Sequence, residues 1–168
     1  MVRPLTLQLH AAMQTIMADV QKDEIIFQKS LEYVLRAPKT ERQVRTWLFG
    51  KRKEGEYLDI DAIINRLKER GYINDAEYAT RFAEAKQTKY GMRNIKAKLT
   101  VKGVAREHLD ELETPDQTDL ARSLAQKYMR NKTFDQKTIQ KLCRFLLSKG
   151  FNYDILPPIL DEFKGDHP

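Results

Sequence analysis

One short element recurs along this chain and limits the folds open to it. Leu99-x-x-Lys102-Gly103-Val104 returns as Leu146-x-x-Lys149-Gly150-Phe151, and Tyr78-Ala79-x-x-Phe82-Ala83 returns as Leu120-Ala121-x-x-Leu124-Ala125. Eight and four residues before each glycine stand apolar side chains, Ile95 and Leu99 in one copy and Leu142 and Leu146 in the other. Six and nine residues after it come Leu109 and Leu112, matched by Leu156 and Ile159. Spacings of three and four put these side chains on one helical face, and a glycine at the junction supplies the left-handed residue that ends a helix without strain. Each copy therefore reads as helix, glycine turn, helix, and a chain that repeats such a unit is a stack of supersecondary modules.

The first helices align at an offset of 42 residues and the glycines at 47, so the later copy carries five extra residues, which fall at Arg130–Asp135 and predict a loop. A fainter copy starts at Leu31-x-x-Val34-Leu35, continues from Thr40 to Leu48 and ends with Ile60, Ile63, Ile64 and Leu67; there the polar loop Gly50–Gly55 stands in for the glycine junction. Thr40 with Gln43, and Asn74 with Glu77, have the spacing of capping boxes, and Asp59 or Asp61 can open the helix that follows. Roughly nine helices are expected and no strand, since apolar and polar residues nowhere alternate for long. Leu9, Met13, Ile16, Met17 and Val20 have helical spacing as well, and this segment is expected to pack on the first repeat as a cap or to stay partly disordered. The expected divisions are an extension over 1–29, repeats over 30–72, 73–114 and 115–163, and a tail over 164–168.

Charge is distributed unevenly. The 30 Lys and Arg exceed the 24 Asp and Glu by six, yet residues 81–106 alone hold eight cations against the single Glu84. These are Arg81, Lys86, Lys89, Arg93, Lys96, Lys98, Lys102 and Arg106. With so few acids nearby, the block lacks local ion-pair partners and is a candidate surface for phosphates or an acidic protein. Plain solvation of a helix face competes with that reading. On a helix from Met92 to Val101, the stripe Met92, Ile95, Leu99 faces the core, with Arg93 and Lys96 on one flank and Lys98 and Lys102 on the other. Tyr78 and Phe82 are expected in the core, whereas Tyr90, beside Gly91, is the ring expected to be exposed for stacking. Trp47 is expected to anchor one repeat to the next.

Catalysis finds little support. His10, His108 and His167 are scattered, Cys143 is the single cysteine and reads as a half-buried structural thiol, and no glycine-rich run precedes a Lys-Ser or Lys-Thr. No cofactor, metal or enzymatic activity is expected. No apolar run is long enough to span a membrane, so a cytoplasmic chain is expected.

Gly71-Tyr72-Ile73-Asn74-Asp75, Tyr78-Ala79, the basic approach to Gly91, the Ile95/Leu99 helix, Lys102-Gly103-Val104 and Phe145-Leu146-Leu147-x-x-Gly150-Phe151 together resemble the RecX family over about residues 30–163. Asn74 stands where that family often has an acid, and Gln43 where it often has Glu. The resemblance implies an all-α fold of three tandem three-helix repeats in an elongated, curved stack. It also implies a monomer that binds the RecA–DNA filament, modulates recombinase, ATPase and coprotease activity, and touches single- and double-stranded DNA more weakly. The partner-binding residues expected on that basis are Lys86, Lys89, Tyr90, Arg93, Lys96, Lys98, Lys102 and Arg106. A stand-alone DNA-binding repeat protein and a scaffold that binds only protein are the competing readings.

Overall fold

The computed structural model describes residues 5–52 and 58–164, with the side chains of residues 5–8, 11, 18, 19 and 164 left aside. Lys53–Gly55 of the expected polar loop, His167 and the tail beyond Lys164 lie outside the described residues. Among the described residues all regular structure is helical. The chain divides into two compact units, 1–74 and 75–168.

The first unit contains α1 (Leu5–Arg36), α2 (Glu41–Phe49) and α3 (Ile60–Glu69). Phe27 and Val34 of α1, Val44 and Leu48 of α2, and Ile60, Ile63, Ile64 and Leu67 of α3 make its core, which Leu58 and Ile73 complete. The capping box forms as the spacing predicts: Gln43 N–H donates to Thr40 Oγ1 at 3.3 Å, and Thr40 N–H donates to Gln43 Oε1 at 3.0 Å. Asp59 opens α3 by accepting from Ala62 N–H at 2.9 Å. Arg45 joins α2 to α3 by bonding Glu41 at 2.8 Å and Asp61 at 2.6 Å, and Lys68 reaches Glu41 at 2.9 Å.

At the N-terminus α1 runs unbroken for 32 residues through position 29, where the extension is expected to meet the first repeat. Of the two readings for its first half, packing as a cap is not what the structure has: Leu9, Met13, Ile16, Met17 and Val20 are 56–64% exposed. The cause is length, since 32 residues make a rod of about 48 Å while α2 and α3 reach only about 15 Å each.

The second unit holds two copies of the repeat. The earlier consists of α4 (Asp75–Lys86), α5 (Met92–Val101) and α6 (Arg106–Asp110). The later consists of α7 (Thr118–Met129), α8 (Gln136–Lys149), a 3-10 turn at Tyr153–Ile155 and α9 (Leu156–Lys164). Their cores match at six positions. Ala79, Ala83, Ile95, Leu99, Val104 and Leu109 are buried in one, and Ala121, Ala125, Leu142, Leu146, Phe151 and Leu156 in the other. The expected loop falls between α7 and α8, where Asn131 takes a positive φ of 64° just after the helix end.

Gly103 and Gly150 have φ of 88° and 92°, and each ends its helix through the same pair of hydrogen bonds. Gly103 N–H donates to Thr100 O at 2.9 Å and Val104 N–H to Leu99 O at 3.1 Å; Gly150 N–H donates to Leu147 O at 2.9 Å and Phe151 N–H to Leu146 O at 3.3 Å. This double bond pattern satisfies helix carbonyls that would otherwise be orphaned. Gly71, with φ of 74°, ends α3 in the same way, through its bond to Lys68 O and that of Tyr72 to Leu67 O. The first unit thus contains the glycine-ended element after all, one helix later than the polar loop.

Candidate partner-binding surface of the second repeat

The basic block spreads over α4, the Gln87–Gly91 turn, α5 and the start of α6, because the buried stripe Met92, Ile95, Leu99 fixes the rotation of α5. That rotation sends the flanking cations to opposite sides. Lys98 and Lys102 face α4, where they line an open groove of about 550 Å³ together with Phe82, Lys86, Tyr90, Asn94, Ala97 and Val101. Arg93 and Lys96 occupy the other flank and are no part of this groove. Lys89 is exposed in the turn, and Arg106 opens α6. The eight expected binding residues therefore do not form one face: Lys86, Tyr90, Lys98 and Lys102 converge, while the remaining four lie apart from them.

Ion pairing in the block is richer than the sequence suggests. Arg81 bonds Glu77 at 2.5 Å and Arg106 reaches Asp110 at 3.4 Å, both four residues apart on one helix, with acids just outside the basic window. Among the described residues no carboxylate pairs with Lys86, Lys89, Arg93, Lys96 or Lys98 in this way.

The aromatic rings of this repeat are half-buried and bear cations on their faces. Lys102 Nζ sits 5.6 Å from the Phe82 ring centroid and 5.9 Å from that of Tyr78. Tyr90, expected to be exposed, packs on the core and lies within 5.1 Å of Lys98 Nζ and 5.3 Å of Lys149 Nζ. In the first unit Trp47 stacks on Tyr33, centroids 4.9 Å apart.

The N-terminus of α5 is held by the later repeat. Gly91 N–H donates to Lys149 O at 2.8 Å, Asn94 Nδ2 to Ser148 O at 3.1 Å, and Met92 N–H to Gln117 Oε1 at 2.9 Å. The end of α8 thus meets the start of α5, a favourable alignment of helix dipoles that satisfies orphan groups of both helices. The two backbones are so close that a Cβ on Gly91 would lie 2.3 Å from Gly150 O. Gly91 has an ordinary φ of −69°, so glycine is needed here for space. Sequence reasoning placed Gly91 at a basic turn and found no sign of this contact.

Chemistry of other kinds has little to work with. Among the described residues no three His, Cys, Asp or Glu side chains gather as metal ligands would, and Cys143 is a half-buried free thiol. No helix is long and apolar enough to cross a membrane among the described residues.

Comparison with known proteins places this architecture. The model of the second three-helix domain of RecX matches residues 74–112, and that of the third matches residues 115–155. The regulatory protein RecX of Clostridium botulinum strain Eklund 17B is 35% identical over 151 residues, covering 84% of this chain and 70% of that protein. The RecX of Clostridium beijerinckii is 34% identical over 141 residues, covering 79% and 65%. The chain thus spans about two thirds of the length of these relatives. The crystal structure of RecX from Lactobacillus salivarius superposes with a TM-score of 0.73 at 26% identity, covering 88% of this chain and 98% of that one. Repeats, glycine turns and relatives agree: this chain belongs to the RecX family of regulatory proteins.

Proposed function

We propose that the protein binds a RecA–DNA filament and restrains its recombinase, ATPase and coprotease activities in recombination, DNA repair and the SOS response. It does so as a cytoplasmic monomer without chemistry of its own, with residues 30–72, 73–114 and 115–163 as successive binding repeats. The observation that carries this reading is the run of cations from Lys86 to Lys98 on α4 and α5, with which no carboxylate pairs among the described residues. In water such cations cost little, and against phosphate or carboxylate they gain by counterion release and direct pairing. Lys86, Lys89, Tyr90, Arg93, Lys96, Lys98, Lys102 and Arg106 form the contact region in this reading.

The test is a titration of the purified chain against bare single-stranded DNA, bare duplex and preassembled filament at several salt concentrations, with strand exchange and ATP turnover read in parallel. Filament binding that exceeds bare-DNA binding at every salt supports the reading; equal affinity for bare DNA and filament overturns it in favour of a plain DNA binder. Joint reversal of charge at Arg93, Lys96, Lys98 and Lys102 should weaken inhibition and flatten its salt dependence, each lost phosphate contact lowering the slope by roughly 0.7–0.9. Truncation after Pro115 should weaken inhibition too. It also removes the acceptors of Gly91, Met92 and Asn94, so a thermal melt accompanies it.

A further inference from the structure

The three repeats differ at one pair of facing positions. In the first, Tyr33 of α1 stacks on Trp47 of α2 at 4.9 Å, and in the third Tyr128 of α7 stacks on Phe145 of α8 at 4.9 Å. Buried neighbours fix the correspondence. Trp47, Lys98 and Phe145 each precede a fully buried leucine, Leu48, Leu99 or Leu146, while Tyr33, Lys86 and Tyr128 each follow by three a buried small residue, Ser30, Ala83 or Ala125. In the second repeat the aromatic pair is thus replaced by Lys86 and Lys98. Where its sister repeats place stacked rings, this one has the groove of about 550 Å³, with Phe82, Ala97 and Val101 as apolar surface and Lys86, Lys98 and Lys102 around it.

We propose that this groove receives a large apolar side chain, aromatic by preference, from an acidic segment of the protein partner. The proposal rests on the filament reading above, in which that partner is a recombinase subunit. The sister repeats show what shape the site accepts, namely an aromatic ring between the first and second helices. The volume lies within the range of about 300–1,000 Å³ usual for binding pockets. Three lysines around an apolar floor complement carboxylates that flank an apolar anchor, the pattern of a short segment laid in a groove. Nucleic acid fits less well here, since Phe82, Ala97 and Val101 give the groove an apolar surface that offers a phosphate no partner. Val101, 78% exposed, offers nothing to a phosphate.

Val101→Lys tests the choice, because it adds a charge that phosphate welcomes while blocking apolar insertion. Its exposure means the melt should match that of the unaltered protein. The expected result is filament affinity lowered by about tenfold or more, as for loss of an interface anchor, with affinity for bare single-stranded DNA equal or higher. Arg93→Glu with Lys96→Glu should show the opposite balance, losing bare-DNA affinity most. A photo-crosslinking amino acid at position 101 should label a recombinase peptide with an apolar residue among Asp and Glu. Crosslinking to nucleotide, or filament affinity that Val101→Lys leaves unchanged or tightens, overturns the groove proposal while the filament reading stands. An unaltered protein with no preference for filament overturns both.

Discussion

Gly71 and Gly150 each end a helix with the same pair of backbone bonds and a positive φ, 74° and 92°, yet they stand in different surroundings. Gly150 also lies against the start of α5, where a Cβ would meet Asn94 N at 2.4 Å and Asn94 Cα at 2.9 Å, whereas a Cβ on Gly71 would meet nothing within 4 Å. Gly71 ends its helix, whereas Gly150 ends its helix and joins its repeat to the one before. One turn therefore bears two loads and the other one, and local pattern reveals only the shared load.

That contrast can be broken by substitution. Gly150→Val should have the largest effect, more than about 4 kcal/mol, because left-handed strain and a backbone clash act together. Thermal melts that place it level with Gly71→Val would remove the distinction between the two turns. Gly91→Ala comes next, at about 1–3 kcal/mol of overpacking, although its φ suits any residue; a neutral Gly91→Ala would mean the crossing is looser than the hydrogen bonds indicate. Gly71→Val should cost about 1–2 kcal/mol from positive φ alone, since a Cβ there meets nothing within 4 Å. A change at an exposed lysine such as Lys89 should cost nearly nothing, and equal melts for it and Gly103→Val would defeat the repeat model.

The first unit sharpens the comparison because caps and ion pairs, not a helix crossing, tie its short helices. Thr40→Ala should cost about 1 kcal/mol by removing one half of the capping box, read as a shift in urea midpoint. Glu41 gives the smallest effect. Burial raises its carboxyl pKa, but hydrogen bonds from Lys68 and Arg45 outweigh this and hold it below its ordinary value of 4.5. A depressed carboxylate contributes stability that is present above its unfolded pKa and lost as pH falls through the folded one. Acidification below about pH 4.5 should therefore erode the melting temperature more in the unaltered protein than in Glu41→Gln.

How much of this was legible beforehand follows the range of each interaction. The helices, the Thr40–Gln43 cap, the loop at Arg130–Asp135 and the positive φ of Gly103 and Gly150 depend on residues within a few positions, and the sequence displays them. The packing of Gly91 on Gly150 depends on residues 59 apart in the chain, and nothing local marks it. The basic block was visible as composition. Its division between a groove and an opposite flank depends on how α5 is rotated against α4, and on lysines taking positions where sister repeats have rings. At offsets of 42 and 47 Lys86 stands against Tyr128 and Lys98 against Phe145, a signal present in the sequence. Tyr90 departs from the expected exposure because adjacency to a glycine turn says little about which lysines fold over a ring.

The overhang of α1 has a kinetic consequence. Starting a helix is the costly step and extending it is cheap, and on α1 the segment from Glu24 to Val34 has neighbours to hold a nucleus, through the Glu24–Arg66 ion pair and the core contacts of Phe27 and Val34. The rod should therefore grow outward from that anchor toward residue 5. Amide protons should exchange in the reverse order, fastest near Leu9 and slowest near Ser30, whose hydroxyl bonds Ile26 O at 2.7 Å. The exposed half of α1 would then keep its own clock, opening many times while the three-helix unit that anchors it stays folded.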